Sequence, residues 1–195
     1  MYEADINPEM RTLIDMYTDS DEASVGHRTL FIDIEVDIAT GFPTPEEAQN
    51  EVTSIAIYDE AGDQRFVWIL DKDQVVENVQ KPGYEVVSCH DEHTLLSKFL
   101  YRYYEIQPTI ITGWNIDFFD IPYLYNRMVK ILGETQARSL SPINDVIWLK
   151  HRNRYRISGV SCLDYMALYK NFTYSQESSY SLEAISQKEL GKGKM

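Results

Sequence analysis

The segment Leu30-Phe31-Ile32-Asp33-Ile34-Glu35-Val36 sets two carboxylates into an otherwise apolar run. A strand points alternate side chains to the same face. Leu30, Ile32, Ile34 and Val36 therefore turn towards a core, and Phe31, Asp33 and Glu35 share the opposite face. Two carboxylates so close together repel each other and resist desolvation unless a cation lies between them. A divalent metal ion with oxygen ligands meets that need. An edge strand with a solvated acidic face meets it equally well, and this segment alone leaves both readings open.

A chain of 195 residues is long enough for one domain with its own core. With 44% hydrophobic and 12% aromatic residues it reads as folded rather than disordered. A net charge of -13 argues against a free-standing nucleic-acid binder with a broad basic surface. It leaves room for an enzyme that grips a strand end through metals and stacking, with neighbouring domains supplying positive charge. Cys89 and Cys162 form no spacing pattern and fit a reducing cytosol. No apolar run approaches a membrane span, and Met1-Tyr2-Glu3-Ala4-Asp5 is unlike a signal peptide. The expectation is a soluble, cytoplasmic protein with no membrane partner.

Residues 1–27 read as an acidic lead-in with a solvated turn at Asp19-Ser20-Asp21-Glu22, and residues 28–195 as the domain proper. After the first strand, Thr44-Pro45-Glu46-Glu47 has the form of a capping box and predicts a short helix. Strands at Val52 to Tyr58 and Arg65 to Leu70, with short connections, predict an antiparallel meander. Glu85 to Cys89 reads as another short strand. Asp91 then caps a helix with Leu95, Leu96, Phe99, Leu100 and Tyr103 on one face. Thr109 to Gly113 is a buried-type strand. A second helix opens at Asp120, repeats Ile121, Leu124, Tyr125, Met128 and Leu132 at helical spacing, and stops at Gly133. A meander followed by strand, helix, strand, helix implies an α/β fold, a mixed sheet with helices on its faces. Ile143 to Cys162 reads as an inserted β-hairpin with the basic tip Lys150-His151-Arg152-Asn153-Arg154, and short helices follow near Leu163 to Tyr169 and Leu182 to Leu190.

The second informative stretch runs Thr112-Gly113-Trp114-Asn115-Ile116-Asp117-Phe118-Phe119-Asp120-Ile121-Pro122-Tyr123. A strand ends at Gly113 and a helix starts at Asp120, at the carboxyl edge of a sheet where α/β folds bind ligands. Asp120 is there within reach of the face carrying Asp33 and Glu35, although a plain N-cap explains it as well. Asp-Ile-Glu in a hydrophobic strand, then Gly-Trp-Asn-x-x-x-Phe-Asp-x-Pro-Tyr roughly eighty residues later, resembles the first and second exonuclease motifs of family B DNA polymerases. Tyr2-Glu3-Ala4-Asp5-Ile6 resembles the junction leading into that exonuclease domain, and Gly41-Phe42-Pro43 follows the first motif as in the family's phage branch. Leu163-Asp164-Tyr165, Tyr180-Ser181-Leu182-Glu183 and Gly193-Lys194 also fall in family order, so nearly the whole chain is covered.

The resemblance implies a ribonuclease H-like domain that removes mispaired nucleotides from a primer 3′ end during DNA replication. Asp33, Glu35 and Asp120 match three of the family's four metal-binding carboxylates, and the implied cofactor is two Mg2+ or Mn2+ ions. Asn115 matches an asparagine near the terminal nucleotide, Phe42 an aromatic that stacks on a base, and Lys194 a lysine at the scissile phosphate. For Phe42 a turn residue tucked onto the core is the rival reading, and for Lys194 a solvated terminal lysine. Arg152 and Arg154 lie in a hairpin associated with separating primer from template, where a phosphate contact competes with a solvated turn. The implied partners are primer-template DNA, single-stranded 3′ ends, and the polymerase palm, fingers and thumb, in cis or as a second chain. If viral, the protein belongs in the host cytoplasm.

Other candidates are weaker. Cys89-His90-Asp91-Glu92-His93 has the composition of a metal cluster, but its consecutive residues diverge in direction where a helix must be capped. Asp117 competes with Asp120, but the family pattern places the ligand directly after phenylalanine. Asp164 reads as structural. The family's third motif, Tyr-x-x-x-Asp, has no match downstream of Asp120; Tyr17 and Asp21 have its spacing but precede the first motif. The expectation is a domain truncated before that motif, with the fourth carboxylate supplied from outside this chain. A non-catalytic nucleic-acid-binding module and an assembly segment of a polymerase are the alternatives.

Overall fold

The computed structural model describes residues 6–22, 25–39, 41, 43–174 and 176–193. Helix α1 (Pro8–Tyr17) comes first, then strands β1 (Thr29–Val36), β2 (Val52–Asp59) and β3 (Gln64–Leu70). Short β4 (Val79–Lys81) and β5 (Tyr84–Cys89) lead into α2 (Glu92–Ile106), β6 (Ile110–Gly113), α3 (Asp120–Ile131) and α4 (Glu134–Arg138). The chain continues through β7 (Val146–Leu149), β8 (Arg154–Ile157), β9 (Ser161–Asp164), α5 (Tyr165–Phe172) and α6 (Leu182–Leu190).

Seven strands form one mixed sheet in the order β4-β5-β3-β2-β1-β6-β9. The antiparallel meander is present as β1, β2 and β3, while β6 lies parallel to β1, and β9 parallel to β6. β1 is thus an interior strand, which removes the edge-strand reading of its acidic face. Its pairing with β6 covers only Thr29 to Phe31. From Ile32 onward one side of β1 is open to groups other than a neighbouring strand.

Helix α2 packs on β2, β3 and β5, and α3 packs on β1. Between helices and sheet lie Leu30, Ile32, Ile34, Ile55, Ile57, Phe66, Trp68, Leu95, Leu96 and Phe99, all buried. These are the positions that the two periodicities select, period two along the strands and three to four along the helices. On the other face α5 covers β6 and β9. Over β1 to β3 that face carries rows set by the register: Phe31, Tyr58 and Arg65; then Asp33, Ala56 and Val67; then Glu35, Ser54 and Ile69.

Several expectations are corrected. The lead-in contains a helix: Asn7 caps α1 by accepting the Glu9 N–H, with proline next in line, yet none of its residues is buried. The helix expected at Thr44 is a single turn closed by the Ala48 N–H to the Thr44 carbonyl, and Ala48 at φ 38° prevents continuation. The hairpin is shorter than Ile143 to Cys162: β7 and β8 form a separate two-stranded sheet, and Ser161–Asp164 joins the main one. Leu163 is therefore strand, and α5 begins at Tyr165. Strand β4 and helix α4 are too short to leave a periodic signature. Both cysteines are free thiols. No described helix is long and apolar enough to cross a membrane.

Candidate active site

Asp33 and Glu35 stand on the exposed face of β1, flanking Ile34, which is buried beneath them. Asp120 begins α3 and is 4% exposed. Its Oδ1 accepts the Ile34 N–H at 3.1 Å, on the side of β1 that β6 no longer occupies. The helix therefore brings a third carboxylate onto the amide between the first two. Phe119, not Asp120, occupies the N-cap position and makes no side-chain cap, so Asp120 is not a plain cap. Burial, and after it the charge of Asp33, pushes the Asp120 carboxyl up to about 7, against the Ile34 hydrogen bond. Among the described residues no three acidic, histidine or cysteine side chains are gathered closely enough to hold an ion.

The turn between β6 and α3 is tightly built. A Cβ at Gly113 would lie 2.5 Å from the Ile32 carbonyl oxygen and 2.6 Å from an Ile116 methyl, so only glycine lets β6 approach β1 there. Asn115 adopts φ 65°, a left-handed conformation that asparagine tolerates, and its carbonyl accepts the Phe118 and Phe119 N–H groups. Asp164 holds this turn from the end of β9: it accepts the N–H groups of Asn115 and Asp117, and caps α5 at Met166 and Ala167. Asn115 thus has a conformational reason for its identity beside any role towards a ligand.

Asp117 is buried and pairs with Arg154 at 2.5 Å. Burial raises its pKa, and the arginine only partly offsets this. The pair latches the β7–β8 hairpin to the β6–α3 turn, so Arg154 is engaged within the protein. Arg152 at the tip is exposed. Phe42 and Lys194 lie outside the described residues. In the Cys89–His93 segment, Asp91 caps α2 through the Thr94 N–H, and buried Glu92 pairs with Arg127 at 2.6 Å.

Beside Asp33 a groove of about 650 Å³ runs over the open face of the sheet, lined by Phe31, Tyr58, Val67, Trp114, Tyr165 and Leu182 among others. The Arg65 guanidinium sits 4.5 Å from the centre of the Tyr58 ring at its rim. Sequence reasoning missed this aromatic lining because its members come from β1, β2, α5 and the turn after β6. Only Phe31 carried a signal, through its phase with Asp33.

A mixed sheet with helices on its faces, an Asp-x-Glu pair on the central strand and an aspartate from the helix after β6 together define a ribonuclease H-like α/β fold of the exonuclease type. The model for the DNA polymerase family B exonuclease domain matches residues 5–185. The DNA-directed DNA polymerase of Escherichia phage RB69 is 33% identical, the match covering 86% of this chain and 22% of that protein. That of Enterobacteria phage T4 is 35% identical over 84% of this chain and 21% of its own length. The DNA polymerase 1 of Sulfurisphaera ohwakuensis is 30% identical over 84% of this chain and 18% of that protein. The chain belongs to DNA polymerase family B and matches its exonuclease domain over residues 5–185. It spans about a fifth of the length of the two phage relatives. Membership implies a nuclease fold that works with divalent metal ions.

Proposed function

We propose that this chain is the 3′–5′ proofreading exonuclease part of a DNA-directed DNA polymerase, hydrolysing the terminal phosphodiester of single-stranded or frayed primer DNA. Residues 28–195 are the exonuclease domain on this reading, and residues 1–27 a lead-in from the polymerase's N-terminal region. The observation that carries it is Asp120 docked on the Ile34 amide, between Asp33 and Glu35. An oxygen-only donor set of this kind suits Mg2+ or Mn2+. Asp33, Glu35 and Asp120 would hold the ions, which when bound supply an activated water and charge neutralisation at the leaving oxygen. A carboxyl pushed towards neutrality by burial gains most from a cation beside it.

The chain's own residues contribute positioning. Gly113 and Asp164 hold the turn that carries Asn115, which on this reading lies near the terminal nucleotide. Arg152 is exposed for a phosphate contact; Phe42 stacks on a base and Lys194 meets the scissile phosphate, as the family motifs imply. The sequence from Asp120 onward has no Tyr-x-x-x-Asp. We assign the fourth carboxylate and the tyrosine that orients the water to polypeptide beyond these residues, with the polymerase palm, fingers and thumb. Primer-template DNA in the cytoplasm, a host's if the source is viral, is the setting. A second reading, a non-catalytic binding or assembly module, is favoured by the lack of a Tyr-x-x-x-Asp after Asp120.

Degradation of a 3′-labelled single strand with magnesium or manganese decides between them, with Asp33→Ala alongside. Metal-dependent shortening lost in the variant supports the nuclease. If shortening needs an added segment carrying Tyr-x-x-x-Asp, the site is divided; a rate gain of about 10²–10⁴-fold is expected from restoring a water-orienting group. Metal-independent binding with no shortening under either condition supports the module.

A further inference from the structure

The β7–β8 hairpin leans on the helix that carries Asp120. Its root is buried, through Val146 on β7 and Ile157 on β8, while its tip, residues 150–153, is exposed. Between root and tip, two neighbours on β8 reach the segment that follows β6. The Arg154 guanidinium donates to the Asp117 carboxylate at 2.5 Å, three residues ahead of Asp120. The Tyr155 hydroxyl donates to the Asn126 side-chain oxygen at 2.6 Å, and its ring lies 4.6 Å from that of Tyr125. Trp148 backs the Tyr155 ring from β7 at 4.9 Å. One strand therefore holds the turn just before α3 and holds the helix again in its second turn.

Asp117 is gripped from two sides. Its N–H donates to Asp164 at the end of β9, and its carboxylate accepts Arg154 from β8. Asp117, Asp120 and Asp164 are 6%, 4% and 4% exposed. Acids buried so near one another resist ionisation together unless a cation joins them. Among the described residues, Arg154 is the only basic side chain in an ion pair with any of the three. An ion pair this far from solvent is costly to break from one side, because the partner left behind stays desolvated. The hairpin is thus bound to the turn by charge and to the helix by a hydrogen bond and ring packing.

We infer that β8 is a brace for the third carboxylate: Arg154 and Tyr155 fix the β6–α3 turn and the helix behind it, and so keep Asp120 against the Ile34 amide of β1. Both are positioning residues, because they act through Asp117 and α3. Docking of the hairpin and placement of Asp120 are then one event, and a hairpin lifted from α3 leaves Asp120 loose. The inference rests on the exonuclease reading for the purpose of that carboxylate; the brace itself is independent of it.

The Ile34 amide reports the contact directly, since its N–H is the donor to Asp120. Arg154→Met removes the charge at Asp117 and keeps an apolar stem. Tyr155→Phe keeps the ring and removes the bond to Asn126. Arg156→Gln is the control, on the same strand but paired back to Asp145 at the hairpin root. Hydrogen exchange at Ile34 is measured on the metal-free chain beside the amides of the β2–β3 ladder, with Mn2+ affinity in parallel. The expected result in the first two variants is exchange about tenfold faster at Ile34 with the ladder unchanged, and Mn2+ binding about fivefold weaker. Arg156→Gln is expected to match wild type in both. Equal acceleration at Ile34 and throughout the ladder marks a purely structural role and overturns the inference. So does unaltered exchange at Ile34, or a loosened Ile34 with Mn2+ affinity intact. If Arg154→Met does not fold, Tyr155→Phe decides. A wild type that binds no Mn2+ counts against the exonuclease reading, and the Ile34 amide alone then decides the brace.

Discussion

Asp120 bears a desolvation cost that the hydrogen bond from Ile34 does not remove, since its carboxyl is pushed up to about 7 in the folded chain. Its folded pKa lies above that of the unfolded chain. Its contribution to stability is therefore fully present below about pH 4 and is lost as the pH rises through about 7. Asp120→Asn keeps an oxygen for the Ile34 N–H and removes the charge. Metal-free, the variant is expected to be more stable than wild type at pH about 8, by on the order of 1–3 kcal/mol, with the gap closing as the pH falls to about 4. Urea titrations across that range measure it, and a gap that grows in acid contradicts the account. How far such residues can be read from sequence varies. The shared face of Asp33 and Glu35 follows from a period of two. The partner that buries Asp117 does not, because Arg154 reaches it from a hairpin whose docking depends on tertiary contacts. The left-handed turn at Asn115 gives a second, conformational reason for an asparagine that the motif alone assigns to the ligand.

Among the elements, β6 shows most directly how a strand makes room for the Asp120 contact by stopping. It ends at Gly113 against the Ile32 carbonyl and so frees the flank of β1 that Asp120 occupies. Gly113→Ala is expected to lower stability by about 1–3 kcal/mol, because the methyl has only backbone and Ile116 to displace. Equilibrium denaturation checks this; a loss below a few tenths of a kcal/mol would show that β6 can withdraw freely. The long helices α2 and α3 and the meander are legible because their apolar residues meet a core. Helix α1 is not, since Met10, Leu13, Ile14 and Tyr17 form a stripe that no described core covers. At Thr44 the capping chemistry is real but local, and the positive φ of Ala48 ends it after one turn. Ser161–Asp164 looks like the end of a hairpin until its parallel pairing with β6 is known.

At the scale of the whole molecule, the sheet is covered by helices on one face and left open over β1 to β3 on the other. Phe31 is 41% exposed there, while Ile57 on the covered face is 3% exposed. Phe31→Ser is expected to change stability by about 1 kcal/mol or less, whereas Ile57→Asp strands a charge in the core and costs about 3–5 kcal/mol. An environment-sensitive apolar dye should bind the wild-type groove and bind less to Phe31→Ser; equal binding by both would place the exposed apolar surface elsewhere. The topology also orders events in time. β1, β2 and β3 close across residues 37–51 and 60–63, but the Ile34–Asp120 contact spans 86 residues and the pairing of β6 with β9 brings in Ser161. Local pairings form before distant ones, because loop closure must precede the contacts that reward it. A chain still emerging from the ribosome can therefore hold a folded meander with Asp33 and Glu35 in place while their third partner is unmade. The Asp120 contact on Ile34 closes with the last long-range contacts, so a half-synthesised polypeptide holds Asp33 and Glu35 without the third carboxylate.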